Sequence, residues 1–194
     1  MDRGHVFRRM FHLCAPGILV YYFFPGTFLG ISKEAWLILG LILLLVLEAG
    51  RLFRGKVFFG MRDYEKTQIS AYAWAGMGVT IALLAFPMPF VICAVVGLGW
   101  TDPIIGELRK RKRMTYYPWM PLLFYFLIVF GCLVLFSDIP WLAIVILASV
   151  GSLGAIAVEK PKIPVDDDFL MLVLPLIVMT LVYEYMVIAD IVAL

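Results

Sequence analysis

Seven apolar segments, each about 20 residues long and joined by short connections, make up most of this chain. They lie at about 11–30, 35–53, 69–87, 88–108, 119–137, 140–158 and 169–191. A helix needs about 20 apolar residues to cross the hydrocarbon core of a bilayer, so this pattern predicts seven transmembrane helices. Composition agrees, because 63% of the residues are hydrophobic and only 15% are charged. We therefore expect one all-α, polytopic membrane domain over residues 1–194.

The first segment also has the basic start and apolar run of a signal peptide. However, His12, Pro16 and Pro25 lie within the run, and no cleavage site of the A-x-A kind follows it. We interpret it as a retained first helix. With no targeting extension recognised, we expect a plasma membrane or an endoplasmic-reticulum membrane.

Lysine and arginine are confined almost entirely to alternate connections. Fifteen of the sixteen lie before the first segment or in the second, fourth and sixth connections, and only Lys33 lies on the other side. Cytoplasmic loops of membrane proteins carry an excess of these residues. This distribution predicts a cytoplasmic N-terminus, and it requires an odd number of spans.

Four polar clusters fall at the cytoplasmic ends of different predicted helices. They are 8–12; Glu48, Arg51 and Arg54 with 62–66; Thr101, Asp102 and Pro103 with Gly106, Glu107 and the basic run 109–113; and 164–168. Each has a structural interpretation on its own, because basic loops bind anionic headgroups and aspartates favour a helix N-terminus. Together they bring both signs of charge to one membrane face, as Mg-nucleotide chemistry on a lipid headgroup requires.

The carboxylates are candidate metal ligands, because Mg²⁺ takes hard oxygen donors. The candidates are Asp102, Glu107, Asp166, Asp167 and Asp168. Glycines and Pro103 interrupt the fourth segment, which indicates a broken helix lining a cavity. Asp102 and Glu107 are five residues apart, so they need such a break, or a loop, to come together.

Histidine 12 has two interpretations. It is either a neutral histidine hydrogen-bonded within the bundle, or a functional group that accepts the proton of an alcohol or donates a hydrogen bond to phosphate. The basic residues beside it and in the loops supply donors for phosphate oxygens. No GxxxxGK[ST] or GxGxxG motif occurs in the chain, but phosphoryl transfer depends mainly on positioning and charge neutralisation and needs neither motif.

The order of these motifs resembles the family of dolichol kinases, CTP-dependent diacylglycerol kinases and phytol kinases. Its Arg-[Arg/Lys]-x-x-His element matches 8–12, and its Arg-x-x-Glu element matches 62–65. A Gly-x-Asp-x-x-Ala-x-x-x-Gly-like element corresponds to 99–106, and an Asp-Asp-Asn element corresponds to 166–168. Two departures are that Asp168 replaces the asparagine, and that 114–118 lacks the family's Lys-[Ser/Thr]-x-Glu-Gly element.

The resemblance implies transfer of a phosphoryl group from CTP, or another nucleoside triphosphate, to a lipid alcohol such as a polyprenol or diacylglycerol. Mg²⁺ is the expected cofactor, membrane lipids surround the enzyme, and no nucleic-acid partner is expected. Catalysis is assigned to Asp102, His12 and Asp167, and the metal ion to the carboxylates named above. The candidate phosphate-binding set is Arg9, Arg62, Glu65, Arg109, Lys110 and Arg111, in which Glu65 is expected to orient Arg62.

Two other functions remain open. A CTP-dependent cytidylyltransferase that makes a CDP-lipid would also use a cytoplasmic carboxylate site, but it needs a lipid phosphate and releases pyrophosphate. A membrane transporter or binding protein is the non-enzymatic alternative. Transporters usually place polar groups near the membrane midplane, whereas the middles of these segments are nearly free of charge.

Overall fold

The computed structural model describes residues 3–58, 60–110, 114–159 and 165–190. The α-helices of this part of the chain are α1 Arg3–Cys14, α2 Lys33–Phe53, α3 Ala71–Ala85, α4 Met88–Lys110, α5 Trp119–Phe136, α6 Trp141–Ala157 and α7 Asp167–Ile188. Short 3₁₀ helices cover Ala15–Phe23, Asp63–Lys66 and Met114–Tyr116, and one hairpin pairs β1 Thr27–Phe28 with β2 Ile31–Ser32. The nearly all-α fold class is confirmed.

Six of the seven predicted segments coincide with helices to within a few residues, and local chemistry explains their ends. The Ser32 and Ser70 hydroxyls accept the N–H groups of Ala35 and Ala73 and so cap α2 and α3. Pro87 and Pro140 each precede the first residue of the next helix. Proline suits this position because the N–H groups at a helix start have no partner within the helix, so the N–H that proline lacks is not needed.

The first segment was predicted wrongly. Helical structure begins at Arg3 and not near residue 11, tightens into the 3₁₀ helix at Ala15, and ends at Phe23. The hairpin then turns through Leu29 and Gly30, both of which have positive φ. A two-residue hairpin turn needs such angles, so residues 27–32 cannot continue the helix.

The predicted break in the fourth segment is also wrong, because α4 continues through Pro103. A proline inside a helix leaves the carbonyl four residues earlier, here that of Gly99, without its usual donor. Asp102 and Glu107 therefore stay on different faces of one continuous helix and do not meet each other.

Helices α4 and α7 form the centre of the bundle. α4 packs against α1, α5 and α7, and α7 packs against α3, α4 and α6, whereas α2 packs mainly on α3. The buried core runs along these contacts, with Val91, Tyr125, Leu147 and Leu176 among its most enclosed residues. The polar ends of α1, α4 and α7 consequently meet at one end of the bundle.

Four of the described helices, α2, α4, α5 and α7, are long and apolar enough to cross a membrane, while α3 and α6 are apolar but shorter. The outer face of α2 shows large aliphatic side chains, including Ile42, Leu43, Val46 and Leu47. A contiguous apolar surface of this kind marks a membrane or interaction face. The length of α2, 21 residues, is enough to cross a bilayer, which agrees with a membrane protein.

Candidate functional site

Helix α1 runs antiparallel to the end of α4, and a histidine–carboxylate contact and an ion pair join them. His12 Nε2 lies 3.5 Å from Asp102 Oδ2, and Arg9 Nη2 lies 2.7 Å from Glu107 Oε2. The spacing of the Arg-Arg-x-x-His element explains the rest of its contacts. Arg8 and His12 are four residues apart and share a helix face, and both reach Asp168 Oδ2 of α7, at 3.4 and 3.6 Å.

Glycine 99 allows this close approach of α1 to α4. A Cβ atom at position 99 would lie 2.7 Å from the backbone carbonyl oxygen of His12 and 3.3 Å from Cδ of Pro16. Because the first of these neighbours is backbone, a larger residue would have to push α1 away. Gly99 therefore sets the distance between His12 and Asp102.

Among the described residues, two groups of side chains place potential metal-binding atoms within 4.8 Å of one another. One is His12, Asp102 and Asp168, and the other is Asp166, Asp167 and Asp168. Asp168 belongs to both groups and is only 4% exposed, and its Oδ1 atom is buried with no hydrogen-bond partner. A buried carboxylate oxygen without a partner is costly, so this atom indicates room for a cation or a donor group from a ligand.

The electrostatics of the cluster make several ionised carboxylates unfavourable side by side. Burial, followed by the charge of Asp167, raises the pKa of Asp166 to about 6, although the N–H of Asp168 and the charges of Arg8 and Arg62 oppose the rise. Asp166 also caps α7, since its Oδ1 accepts the Asp168 N–H at 3.1 Å. Carboxylates this close repel one another unless a proton or a metal ion intervenes.

An apolar groove of about 530 Å³ opens beside the cluster, between α1, α3, α4 and α7. Arg8, His12, Glu65 and Asp168 line its polar end. Its other walls are mostly apolar, with Ile18, Leu44, Val79, Val95, Leu98 and Leu172 among them. The volume and lining are those of a small-molecule site with a few convergent polar groups.

A buried ion pair at the end of α2 holds the loop that brings Glu65 to this groove. Arg51 donates two hydrogen bonds to Glu48, at 2.7 and 2.8 Å, and further bonds to the carbonyl oxygens of Lys56, Glu65 and Gln68. Glu48 also accepts the Ser70 N–H at 2.6 Å. Both ends of the 54–70 loop are therefore tied to one guanidinium–carboxylate pair.

Glutamate 65, which was expected to orient Arg62, contacts the backbone of that residue. Its buried carboxylate accepts the backbone N–H groups of Arg62, at 2.8 Å, and of Ala71, at 3.2 Å. It thus fixes the turn that carries Arg62. The Arg62 side chain is exposed, and its charge acts on Asp166.

The remaining candidate phosphate-binding residues lie further from the carboxylate cluster or outside the described residues. Arg109 pairs with the buried Glu159, which also accepts the Tyr117 hydroxyl, and Arg9 is engaged with Glu107. Arg111 lies outside the described residues, as does the side chain of Lys110. Of the predicted site residues, His12, Glu65, Asp102 and Asp166–Asp168 are thus brought together, with Arg62 nearby.

Sequence reasoning left three features of this end of the bundle unassigned. Arg8 was not given a role, although its four-residue spacing from His12 could have paired the two. Glu159 was overlooked, although a lone carboxylate between an apolar segment and a basic connection indicates a pairing partner for a cation. The groove depends on side-chain packing between helices that are distant in sequence, so no local sequence pattern predicts it.

We expect Gly99→Ala to lower the stability of the bundle even though alanine is the better helix former. Overpacking of this kind costs about 1–3 kcal/mol, because the new Cβ atom meets the His12 carbonyl oxygen. Thermal unfolding in detergent measures the change. Gly131→Ala in α5 is the matched control, since a Cβ atom there meets nothing within 4 Å; equal behaviour of the two variants would contradict the proposed close approach.

No protein-family model, curated protein or solved structure matches the chain.

Proposed function

We propose that this protein is a multi-pass membrane enzyme that transfers a phosphoryl group from a nucleoside triphosphate, CTP by resemblance, to the hydroxyl group of a lipid alcohol. The observation that carries the proposal is the buried His12–Asp168 pair, which lies at the polar end of an apolar groove. An amphiphile in the groove would have its tail among aliphatic side chains and its hydroxyl beside a histidine and a carboxylate.

In the proposed topology seven segments span the membrane and the N-terminus is cytoplasmic. Support comes from the ion pairs that link α1 to α4 and α7, and from the Glu48–Arg51 and Arg109–Glu159 pairs. All of them involve the ends of helices next to the basic connections. A bundle with its cations at one end matches the positive-inside bias.

Mg²⁺ is the proposed cofactor, and the donor set fits it. Asp166, Asp167 and Asp168 supply carboxylate oxygens within 4.8 Å of one another, and Asp102 adds one beside His12. Carboxylate oxygens are the donors that Mg²⁺ prefers. When bound, Mg²⁺ would neutralise phosphate charge as the terminal phosphoryl group is transferred.

The protein residues would then hold the nucleotide and move one proton. Arg62, exposed beside Asp166, would bind phosphate oxygens. The lipid O–H bond breaks as His12 Nε2 takes its proton, and a new bond forms between the lipid oxygen and the terminal phosphorus. The bond from that phosphorus to the nucleoside diphosphate breaks, and the diphosphate leaves with the electron pair.

The cytidylyltransferase is the second candidate, and one observation favours it. Arg8 lines the polar end of the groove together with His12, so a cation faces the position of the lipid headgroup. A lipid phosphate would bind more tightly through a charge-assisted hydrogen bond to this cation. A neutral alcohol would form no such charged contact.

The test is to incubate the purified protein with Mg²⁺, polyprenols and diacylglycerol, and with γ-labelled CTP or ATP in parallel, and then to count label in the organic phase. We expect CTP-dependent label that Asp102→Asn reduces at least about 100-fold, as loss of a charged ligand does. The matched control is Asp138→Asn, an exposed carboxylate in the α5–α6 connection. Label from α-labelled CTP with phosphatidate, but none from γ-labelled nucleotide with alcohols, would replace the kinase by the cytidylyltransferase.

A further inference from the structure

We infer that the groove binds a single hydrocarbon chain, which enters sideways from the bilayer between the Ala15–Phe23 helix and α2, so that the substrate is a single-chain long alcohol and not a diacylglycerol. The identity of the headgroup as an alcohol rests on the proposed function. The binding of one chain rests on the dimensions and walls of the groove.

The volume of the groove sets the size of the occupant. At about 30 Å³ for each non-hydrogen atom, the share of one molecule in liquid water, 530 Å³ holds roughly 18 such atoms. That is one hydrocarbon chain of ordinary membrane length with its hydroxyl group. Two such chains on a glycerol need about twice the space, so a diacylglycerol would have to leave one chain outside.

The wall formed by α3 also favours one narrow chain. Ala71, Ala75 and Val79 follow one another at helical spacing along the groove. Beside them Gly76 lies against the Leu44 side chain of α2. These short side chains make room on the α3 side, while Leu44 closes the adjacent side.

The direction of entry follows from the helix packing. The α1 helix and the Ala15–Phe23 helix pack on α4, whereas α2 packs on α3. The groove lies in the cleft that has α1, the Ala15–Phe23 helix and α4 on one side and α2 and α3 on the other. Phe11 of α1 meets Tyr72 of α3 edge to face, with ring centroids 5.4 Å apart, at the polar end of this cleft. At the apolar end Ile18 is 39% exposed, so a chain can slide in between Ile18 and Leu44.

Tyr72 gives the groove a further polar group for the headgroup. It lines the groove, and its hydroxyl is buried with no hydrogen-bond partner. A buried phenol normally finds a partner. A lipid hydroxyl placed beside His12 would supply one, with Tyr72 donating to the lipid oxygen while His12 accepts its proton.

The natural cysteines allow a test that does not depend on catalysis. Cys14 lines the groove and is exposed, whereas Cys93 is buried and Cys132 is half-buried. In a Cys132→Ser background reconstituted in nanodiscs, N-ethylmaleimide modification of Cys14 is followed by mass spectrometry. We expect 1-hexadecanol to slow it at least fivefold and dioleoylglycerol at the same concentration to leave it unchanged.

Two variants locate the occupant. Ala75→Phe fills the groove and should remove the protection, whereas Ile81→Phe, on the exposed side of the same helix, should keep it.

A third variant tests the headgroup contact. Tyr72→Phe should raise the hexadecanol concentration for half-protection about three- to tenfold, the loss of affinity expected for one hydrogen bond.

Each outcome decides something. Equal protection by dioleoylglycerol would overturn the single-chain assignment, and protection that survives Ala75→Phe would overturn its location. Protection by neither lipid would overturn binding in the groove. Protection by hexadecanol in a protein that transfers no phosphoryl group would support this inference and overturn the proposed function instead.

Discussion

Asp168→Asn should abolish phosphoryl transfer while leaving the protein, in the absence of divalent cations, at least as stable as the parent. We expect a fall in rate of 100-fold or more, because the substitution removes the one carboxylate shared by both candidate metal-binding groups. A variant that loses function through misfolding would instead lose both activity and stability, so the two measurements together identify the role of this side chain.

The expected gain or retention of stability follows from the charges around Asp168. The side chain is buried, it lies close to Asp102, Asp166 and Asp167, and its Oδ1 atom has no hydrogen-bond partner. Burial and like charges both make an ionised carboxylate unfavourable at such a position. Asparagine keeps the shape and an oxygen that can accept a hydrogen bond, but it removes the negative charge that Arg8 faces at 3.4 Å. Functional sites commonly hold such unfavourable arrangements at the expense of stability.

Thermal unfolding with and without Mg²⁺ provides the measurement, beside the labelled-CTP assay. The parent should be stabilised by Mg²⁺, since a ligand that binds only the folded state stabilises it, and Asp168→Asn should not. Asp190→Asn, an acidic residue just beyond the far end of α7, is the control and should retain both the activity and the response to Mg²⁺. A large fall in the stability of Asp168→Asn without Mg²⁺ would show that the carboxylate serves the fold.

The helices could be predicted because their signals are local. About 20 apolar residues define a span, and serine caps and prolines define its ends, so α2 to α7 were placed to within a few residues. The clustering of charge was also predictable, since alternate connections of a helical bundle lie at the same end. Helices α1, α4 and α7 carry polar residues at that end, and their ion pairs and the His12–Asp102 contact follow from it.

The errors arose where a local signal was overridden by packing or by a turn. Pro103 is a helix breaker by its own chemistry, yet α4 continues because packing against α1, α5 and α7 supports it on several sides. The first apolar segment was predicted as helix as far as residue 30, but helical structure ends at Phe23 and positive φ at Leu29 and Gly30 makes a hairpin there. Which partner each charge takes could not be deduced, because Arg9 with Glu107 and Arg8 with Asp168 depend on how α1 is rotated.

Arg51→Met should be among the most destabilising single substitutions at the polar end of the bundle. Removing one partner of a buried ion pair costs about 3–5 kcal/mol, because the other charge is left unpaired. Here Glu48 would lose its two guanidinium hydrogen bonds, and the carbonyl oxygens of Lys56, Glu65 and Gln68 would lose their donor. Arg54→Met, at the exposed end of the same helix, is the matched control and should change stability by less than about 0.5 kcal/mol.

A double variant shows whether Arg51 acts as half of an ion pair or as the organiser of a loop. If only the pair matters, adding Glu48→Gln to Arg51→Met should restore most of the lost stability, since no charge is then left unpaired. We expect little recovery, because the three carbonyl oxygens of the 54–70 loop still have no donor and each unpaired group costs about 1–3 kcal/mol. Limited proteolysis should then cut this loop faster in both variants than in Arg54→Met. Since the same loop carries Glu65 to the groove, protection of Cys14 by hexadecanol should weaken in parallel with the cutting; full recovery of stability in the double variant would confine Arg51 to its pairing with Glu48.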